Sequence, residues 1–323
     1  MDKRTRNTIV GAAAVLAAAA GTTVAAAHFL SSLAIKRDSF VAKRGITDKI
    51  SGGIDMNAPG VAEAIKSIEA AQELKTETVT IESDDGLTLT GHFYPAENTK
   101  RIVIAMHGWR STWSIDYGAS YEFYHKSGCA VLYPDQRGTG ESDGEYIGFG
   151  VLERRDCLCW INYVIERFGT DIPIYLSGVS MGATTVLMTL GYELPDCIKG
   201  VIADCGFTSP RAIWKHVMNN NLRMSDKLAY PIVNYICNKK AQFDGEEYST
   251  QEALENNKIP VLFIHGGADK FVPIEMTFEN YEACKAEKEL LVVPSAGHGM
   301  SCVTDKQAYE RAVRSFFEAY DGY

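Results

Sequence analysis

The segment Pro173-Ile174-Tyr175-Leu176-Ser177-Gly178-Val179-Ser180-Met181-Gly182-Ala183 sets a G-x-S-x-G pentapeptide between a short apolar run and a helix-forming one. A backbone that turns this sharply from strand to helix projects the serine hydroxyl above the edge of a sheet. Gly178 and Gly182 leave room for neighbouring backbone to approach. Ser180 is therefore the candidate nucleophile. The competing reading is a buried serine in a tight turn, and the strand before and helix after weigh against it.

A serine hydroxyl is a poor nucleophile at neutral pH, so it needs a histidine base and a carboxylate that orients the histidine. Val261-Leu262-Phe263-Ile264-His265 reads as a buried strand ending in Gly266-Gly267-Ala268-Asp269, which puts Asp269 on the loop that follows. Leu290-Leu291-Val292-Val293 is a further strand, ending in Ser295-Ala296-Gly297-His298-Gly299. His298 is the candidate base, because His107 and His265 fall in or at the end of strands and His92, His125 and His216 lack a glycine-flanked loop. Asp204, at the end of the run Val201-Ile202-Ala203, competes with Asp269 for the role of acid, and the glycine-rich loop favours Asp269.

Acyl transfer also requires donors where the tetrahedral oxyanion develops. The amide of Met181, directly after the nucleophile, is one candidate. The other is the amide of Trp109 in His107-Gly108-Trp109-Arg110, which follows the apolar strand Arg101 to Met106. The segment Asp135-Gln136-Arg137-Gly138-Thr139-Gly140-Glu141-Ser142 has neither a P-loop lysine nor a dinucleotide fingerprint. A structural loop stiffened by an Asp135–Arg137 pair is expected there.

Together these motifs resemble the α/β-hydrolases, and more closely the serine aminopeptidase-like and prolyl-oligopeptidase-like hydrolases, over residues 76 to 320. The N-terminal apolar stretch running into Ile35-Lys36-Arg37, and Ala203-Asp204-Cys205 with Phe207, are similar to the membrane-anchored α/β-hydrolases of Gram-positive bacteria. The resemblance implies an α/β-hydrolase fold, with a mostly parallel central sheet flanked by helices and a small helical cap insertion. It also implies a Ser-His-Asp hydrolase carried by Ser180, His298 and Asp269, working without cofactor or metal. Cleavage of a carboxylic ester, thioester or amide is expected. A serine aminopeptidase, or a binding protein that keeps the fold without the reaction, is the alternative.

A net charge of −9 and a pI near 5.4 argue against nucleic acid as a partner, and leave a small ester or short peptide as substrate. The eight cysteines lack paired C-x-x-C units, so no zinc site is suggested, and several lie in apolar runs as small hydrophobes.

The N-terminus carries Lys3, Arg4 and Arg6 and then no charge from Asn7 to Ile35, long enough to span a bilayer. Residues 1–35 are expected to be a single-pass membrane anchor, with a cleaved signal peptide or a soluble helix as alternatives. The basic residues on both sides balance, and an N-terminal anchor before a large domain favours the extracytoplasmic face. Residues 36–75 are expected as a tether and 76–323 as the hydrolase domain, with the cap insertion at about 207–257. Trp113, Tyr117, Trp214 and Tyr230 are candidates to line the substrate pocket. The same aromatic residues could simply pack the cap onto the core.

Overall fold

A computed structural model of the chain describes residues 25–38 and 60–321. Among the described residues one sheet forms, of eight strands: β1 (Glu77–Glu82), β2 (Thr88–Tyr94), β3 (Arg101–Met106), β4 (Cys129–Pro134), β5 (Ile174–Val179), β6 (Ile198–Asp204), β7 (Val261–Gly266) and β8 (Lys288–Val293). Their spatial order is β1-β2-β4-β3-β5-β6-β7-β8. β2 runs antiparallel to both β1 and β4, and the remaining pairs are parallel. This is the expected α/β-hydrolase arrangement.

β3, β4, β5 and β7 are buried at every residue because helices cover both faces of the sheet. That is why they read as continuous apolar runs rather than alternating ones. The β1–β2 hairpin turns at Asp84-Asp85-Gly86, where Gly86 adopts φ 83° and the Ser83 hydroxyl accepts from the Leu87 amide at 2.8 Å. The chain leaves β3 for β4 on one side and returns to β5 on the other. This reversal opens a crevice at the carboxyl ends of β3 and β5, where open α/β sheets bind ligands.

Arg101, which begins the central strand β3, is buried and donates through Nε to Asp321 Oδ1 at 3.0 Å and through a second nitrogen to Oδ2. Tyr175 on β5 donates to the same carboxylate at 3.0 Å, and the guanidinium lies over the Phe317 ring.

The Asp135–Arg137 pairing expected from sequence does not form. Arg137 instead makes a bidentate pair with buried Asp156, both contacts at 2.6 Å, and also reaches Asp85. Asp135 faces the other way, accepting from the Glu141 amide at 2.8 Å and lying 3.4 Å from His92. Seven of the cysteines are buried and Cys159 is half-buried. Burial pushes the Cys157 thiol up to about 12.

Between β6 and β7 the insertion forms the helices Pro210–His216 and Asp226–Ala241, joined through a π-helical turn at Val217–Asn221. Ser209 caps the first by accepting from the Ala212 amide, with Pro210 at its first position. The following helix Thr250–Leu254 returns to the main core through Ala253 and Leu254.

The N-terminal segments depart from expectation. Among the described residues no helix is long and apolar enough to cross a membrane. Residues 25–35, read from sequence as the end of the anchor, form a helix that buries Ala27, Leu33 and Ile35 against the insertion and the helix Met181–Thr189. The rest of that expected anchor, residues 1–24, lies outside the described residues. Apolar composition alone does not distinguish burial in lipid from burial against protein, which explains the difference. Within the expected tether, the helix Val61–Gln72 also docks, burying Val61, Ala64 and Ala71 beside the helix Trp113–Tyr117.

Candidate active site

β5 delivers Ser180 into a backbone conformation that side chains rarely adopt, with φ 55° and ψ −117°. Such a conformation costs on the order of 1–3 kcal/mol and persists only where its surroundings enforce it. Here the Ser180 amide donates to the Asp204 carbonyl of β6 at 2.8 Å, and the Ser180 carbonyl accepts from Thr184 at 3.0 Å to start the helix Met181–Thr189. A side chain on Gly182 would run into the Met106 and His107 carbonyls, and one on Gly178 into Gly182 itself. The glycines of the pentapeptide therefore allow the elbow to pack against β3.

The loops after β7 and β8 are laced together. Gly267 donates to the Val293 carbonyl at 2.8 Å and Ala268 to the Ala296 carbonyl at 2.9 Å. This brings Asp269 and His298 to the same end of the sheet as Ser180. His298 Nε2 lies 2.9 Å from Ser180 Oγ, and its Nδ1 lies 2.7 Å from Asp269 Oδ2. An ionised carboxylate can only accept, so Nδ1 carries the proton and Nε2 is left free to accept from the serine hydroxyl.

Asp269 is held on every side. Its Oδ1 accepts from the amides of Phe271 and Val272 at 2.8 and 3.0 Å, and Oδ2 also lies 3.3 Å from His265 Nε2. Burial alone would raise its pKa, but hydrogen bonds from His265 and His298 outweigh that and hold the carboxyl well below the usual range. His265 is positioned in turn by Thr277 at 2.7 Å and the Val272 carbonyl at 3.0 Å. Sequence set His265 aside as a strand residue, and its spacing of four from Asp269 was the available signal for this contact. Phe271 packs edge-on against the His298 ring at 5.0 Å.

Asp204, the other candidate acid, accepts from the Ser301 hydroxyl at 3.0 Å instead of meeting His298. Burial raises its carboxyl to about 6. The geometry thus joins Asp269, and not Asp204, to His298.

Met181 is the first residue of its helix, so its amide has no partner four residues back. The loop carrying Trp109 lies against the elbow, since a Cβ on Gly108 would sit 3.3 Å from Ser180 Cβ. Asp116 stiffens this loop by accepting from the Gly108 amide and the Ser111 hydroxyl at 2.5 and 2.7 Å. Gln136 braces it further, donating its side-chain amide to the His107 carbonyl. The Trp109 indole donates to the Ala34 carbonyl of the N-terminal helix at 2.8 Å.

Beside the triad lies an apolar cavity of about 60 Å³, lined by Trp109, Phe271, Trp214 and Met218 and by Leu30, Leu33 and Ala34 of the N-terminal helix. Of the four pocket residues expected from sequence, only Trp214 lines it. Trp113 and Tyr117 are buried beneath the sheet, where Trp113 stacks on Tyr133 at 4.6 Å and Tyr117 donates to Ser177 at 3.2 Å. Tyr230 packs behind Trp214 and faces a polar groove on the outside of the insertion. Sequence missed the N-terminal helix residues because the same apolar run also suits a membrane.

The strand order, the strained elbow and the cluster at the carboxyl ends of β5, β7 and β8 define an α/β-hydrolase. Residues 113–322 match the prolyl oligopeptidase family, and the chain belongs to that family. The uncharacterized protein YqkD of Bacillus subtilis (strain 168) is 24% identical over 251 residues, spanning 77% of this chain and 82% of its own. The bifunctional esterase/perhydrolase DCH of Acinetobacter calcoaceticus is 22% identical over 258 residues, spanning 68% of this chain and 92% of its own. Among solved structures, the Pyrococcus furiosus esterase Pf2001 superposes with a TM-score of 0.65 at 23% identity, covering 79% of this chain and 94% of its own. Family and neighbours together make the chain a hydrolase of esterase-like fold.

Proposed function

We propose that the protein is a serine hydrolase that cleaves a carboxylic ester through an acyl-enzyme on Ser180. The observation that carries this is the continuous chain from Asp269 through His298 to Ser180, with contacts of 2.7 and 2.9 Å at a strained elbow. In this mechanism His298 Nε2 takes the serine proton as Oγ attacks the carbonyl carbon. It then delivers that proton to the departing alcohol. Asp269 fixes the imidazole tautomer and stabilises its cation. The amides of Met181 and Trp109 receive the oxyanion, each lowering the barrier by roughly 3 kcal/mol. Water, activated by the same histidine, then releases the acid and restores Ser180.

Peptide cleavage is the second reading, favoured by membership of a family named for an oligopeptidase. A peptidase that grips a substrate amine needs an acidic group facing the site. The side chains around the cavity are apolar, whereas Glu246 pairs with Arg211 and Asp244 accepts from Asn234 on the outer insertion. Those placements support the ester.

Membrane attachment, with the domain on the outer face, belongs to the same proposal and rests on sequence. With residues 25–35 docked, a span would draw on Asn7 to Val24, eighteen uncharged residues within the usual range of about 17–25. Partition of the full chain into the detergent phase tests attachment.

Full-length protein and its Ser180→Ala variant, treated with a fluorophosphonate probe and a series of p-nitrophenyl esters, test the reaction. Labelling and turnover that vanish in Ser180→Ala are expected. A folded wild type that neither labels nor turns over would sink the hydrolase reading in favour of a binding protein.

A further inference from the structure

We infer that the N-terminal helix is a wall of the substrate site, and that Leu30 and Ala34 on it set the length of acyl chain the enzyme accepts. The inference rests on the ester-hydrolase reading and adds its substrate class, esters of short unbranched acids.

Leu30, Leu33 and Ala34 stand at the three- and four-residue spacing of one helix face, with Ala27 and Ser31 buried beside them. Leu30, Leu33 and Ala34 close the apolar cavity against Trp109, Phe271 and Trp214. Trp109 and Phe271 are the cavity's links to the reaction centre. One follows Gly108, which abuts Ser180, and the other packs on His298. An acyl group on Ser180 can therefore extend from its carbonyl into a space whose far wall is the helix.

The helix is built into the site rather than resting on it. The last carbonyls of a helix lack internal partners. Here several of them, and those of the two residues after the helix, are taken up by Trp109 and Arg110 of the expected oxyanion turn. The Arg110 guanidinium donates to the carbonyls of Leu33 at 2.8 Å, Lys36 at 2.5 Å and Arg37 at 3.2 Å, and the Trp109 indole donates to that of Ala34. The Ile147 amide donates to the Ile35 carbonyl at 2.7 Å, and Arg37 donates to the carbonyls of Gly140 and Ser142. The wall is thus tied to the loops after β3 and β4. These contacts are made by backbone carbonyls, so side chains at 30 and 34 can change without removing them.

The cavity volume sets the scale of the chain. At about 60 Å³ the cavity admits a short chain of a few methylene-sized groups and not a long one. The lining offers dispersion and desolvation but no charge, which suits an unbranched alkyl chain.

The test uses full-length protein, with Leu30→Ala to open the wall and Ala34→Leu to fill the cavity, both at half-buried positions. Against p-nitrophenyl esters from acetate to dodecanoate, the parent is expected to turn over the butyrate and hexanoate esters best. Leu30→Ala should raise the octanoate to butyrate ratio of kcat/KM by about tenfold, and Ala34→Leu should lower the hexanoate to acetate ratio by a similar factor, the low end of methylene discrimination. Profiles that superimpose on the parent, in variants that melt at the parent temperature, would overturn the inference while leaving the hydrolase intact. Calorimetric titration of hexanoate into Ser180→Ala, with and without Ala34→Leu, reads the wall independently of turnover. Binding that Ala34→Leu abolishes supports the wall even if no ester is cleaved, and binding that it leaves unchanged counts against the wall.

Discussion

Replacing Asp269 by asparagine gives the sharpest test of the triad, because the surroundings dictate how the new side chain must sit. Oδ1 accepts from the Phe271 and Val272 amides, so the asparagine oxygen stays there and its NH2 group takes the place of Oδ2. That group then points a donor at His298 Nδ1 across the present 2.7 Å contact. The imidazole answers by accepting at Nδ1 and moving its proton to Nε2, where it faces the Ser180 hydroxyl and cannot take a proton from it. In a serine triad this wrong tautomer lowers kcat by about 10⁴-fold, equivalent to about 5.5 kcal/mol of barrier. The assay is steady-state hydrolysis of p-nitrophenyl butyrate, beside fluorophosphonate labelling and a thermal melt to show that the fold survives. Loss of less than about tenfold in Asp269→Asn, with a 10⁴-fold loss in Asp204→Asn, would refute this assignment and make Asp204 the orienting acid.

Asp204 also predicts a slope of stability with pH. Its folded carboxyl titrates at about 6 because burial disfavours the charge, against an ordinary value near 3.9 when unfolded. The folded state therefore holds a proton that the unfolded chain has released, so this contribution is full below about pH 4 and is lost as pH rises through 6. Urea midpoints between pH 4 and 7 should fall less steeply in Asp204→Asn than in the parent. Asp269 has the opposite sign: its stabilisation is present above the unfolded value and is lost only as pH falls through its depressed folded value. Arg137→Leu leaves Asp156 buried without its bidentate partner and should cost about 3–5 kcal/mol, or roughly 6–20 °C in Tm by calorimetry. Adding Asp156→Leu should recover much of that loss.

The meeting of Ser180, Asp269 and His298 was largely legible in the sequence because each sits at the end of a strand with its own turn chemistry. Ser180 needed Gly178 and Gly182 to fit the elbow, and Asp269 and His298 follow short apolar runs on loops rich in glycine. What sequence could not resolve was direction in space. Trp113 and Tyr117 follow the same β3 loop that carries Trp109, yet the chain passes under the sheet within a few residues and takes them into the core. Arg137 has Asp135 two residues away, but its partners lie 19 and 52 residues distant. Residues 25–35 were legible as apolar and helical; their neighbour was not, because hydrocarbon and a protein groove ask for the same side chains.

The clasp of Arg101 on Asp321 has a consequence for how the domain is made. The strand that begins with Arg101 lies in the middle of the sheet, and its partner is 220 residues further along the chain. At translation rates of about 5–20 residues per second, roughly 10–45 s separate the synthesis of one from that of the other. Throughout that interval a guanidinium destined for the interior has no carboxylate to meet, and the Phe317 ring that will cover it does not yet exist. The nascent chain can form its amino-terminal hairpin early, but the central sheet must wait, exposed to chaperones and proteases, for its final helix to be synthesised.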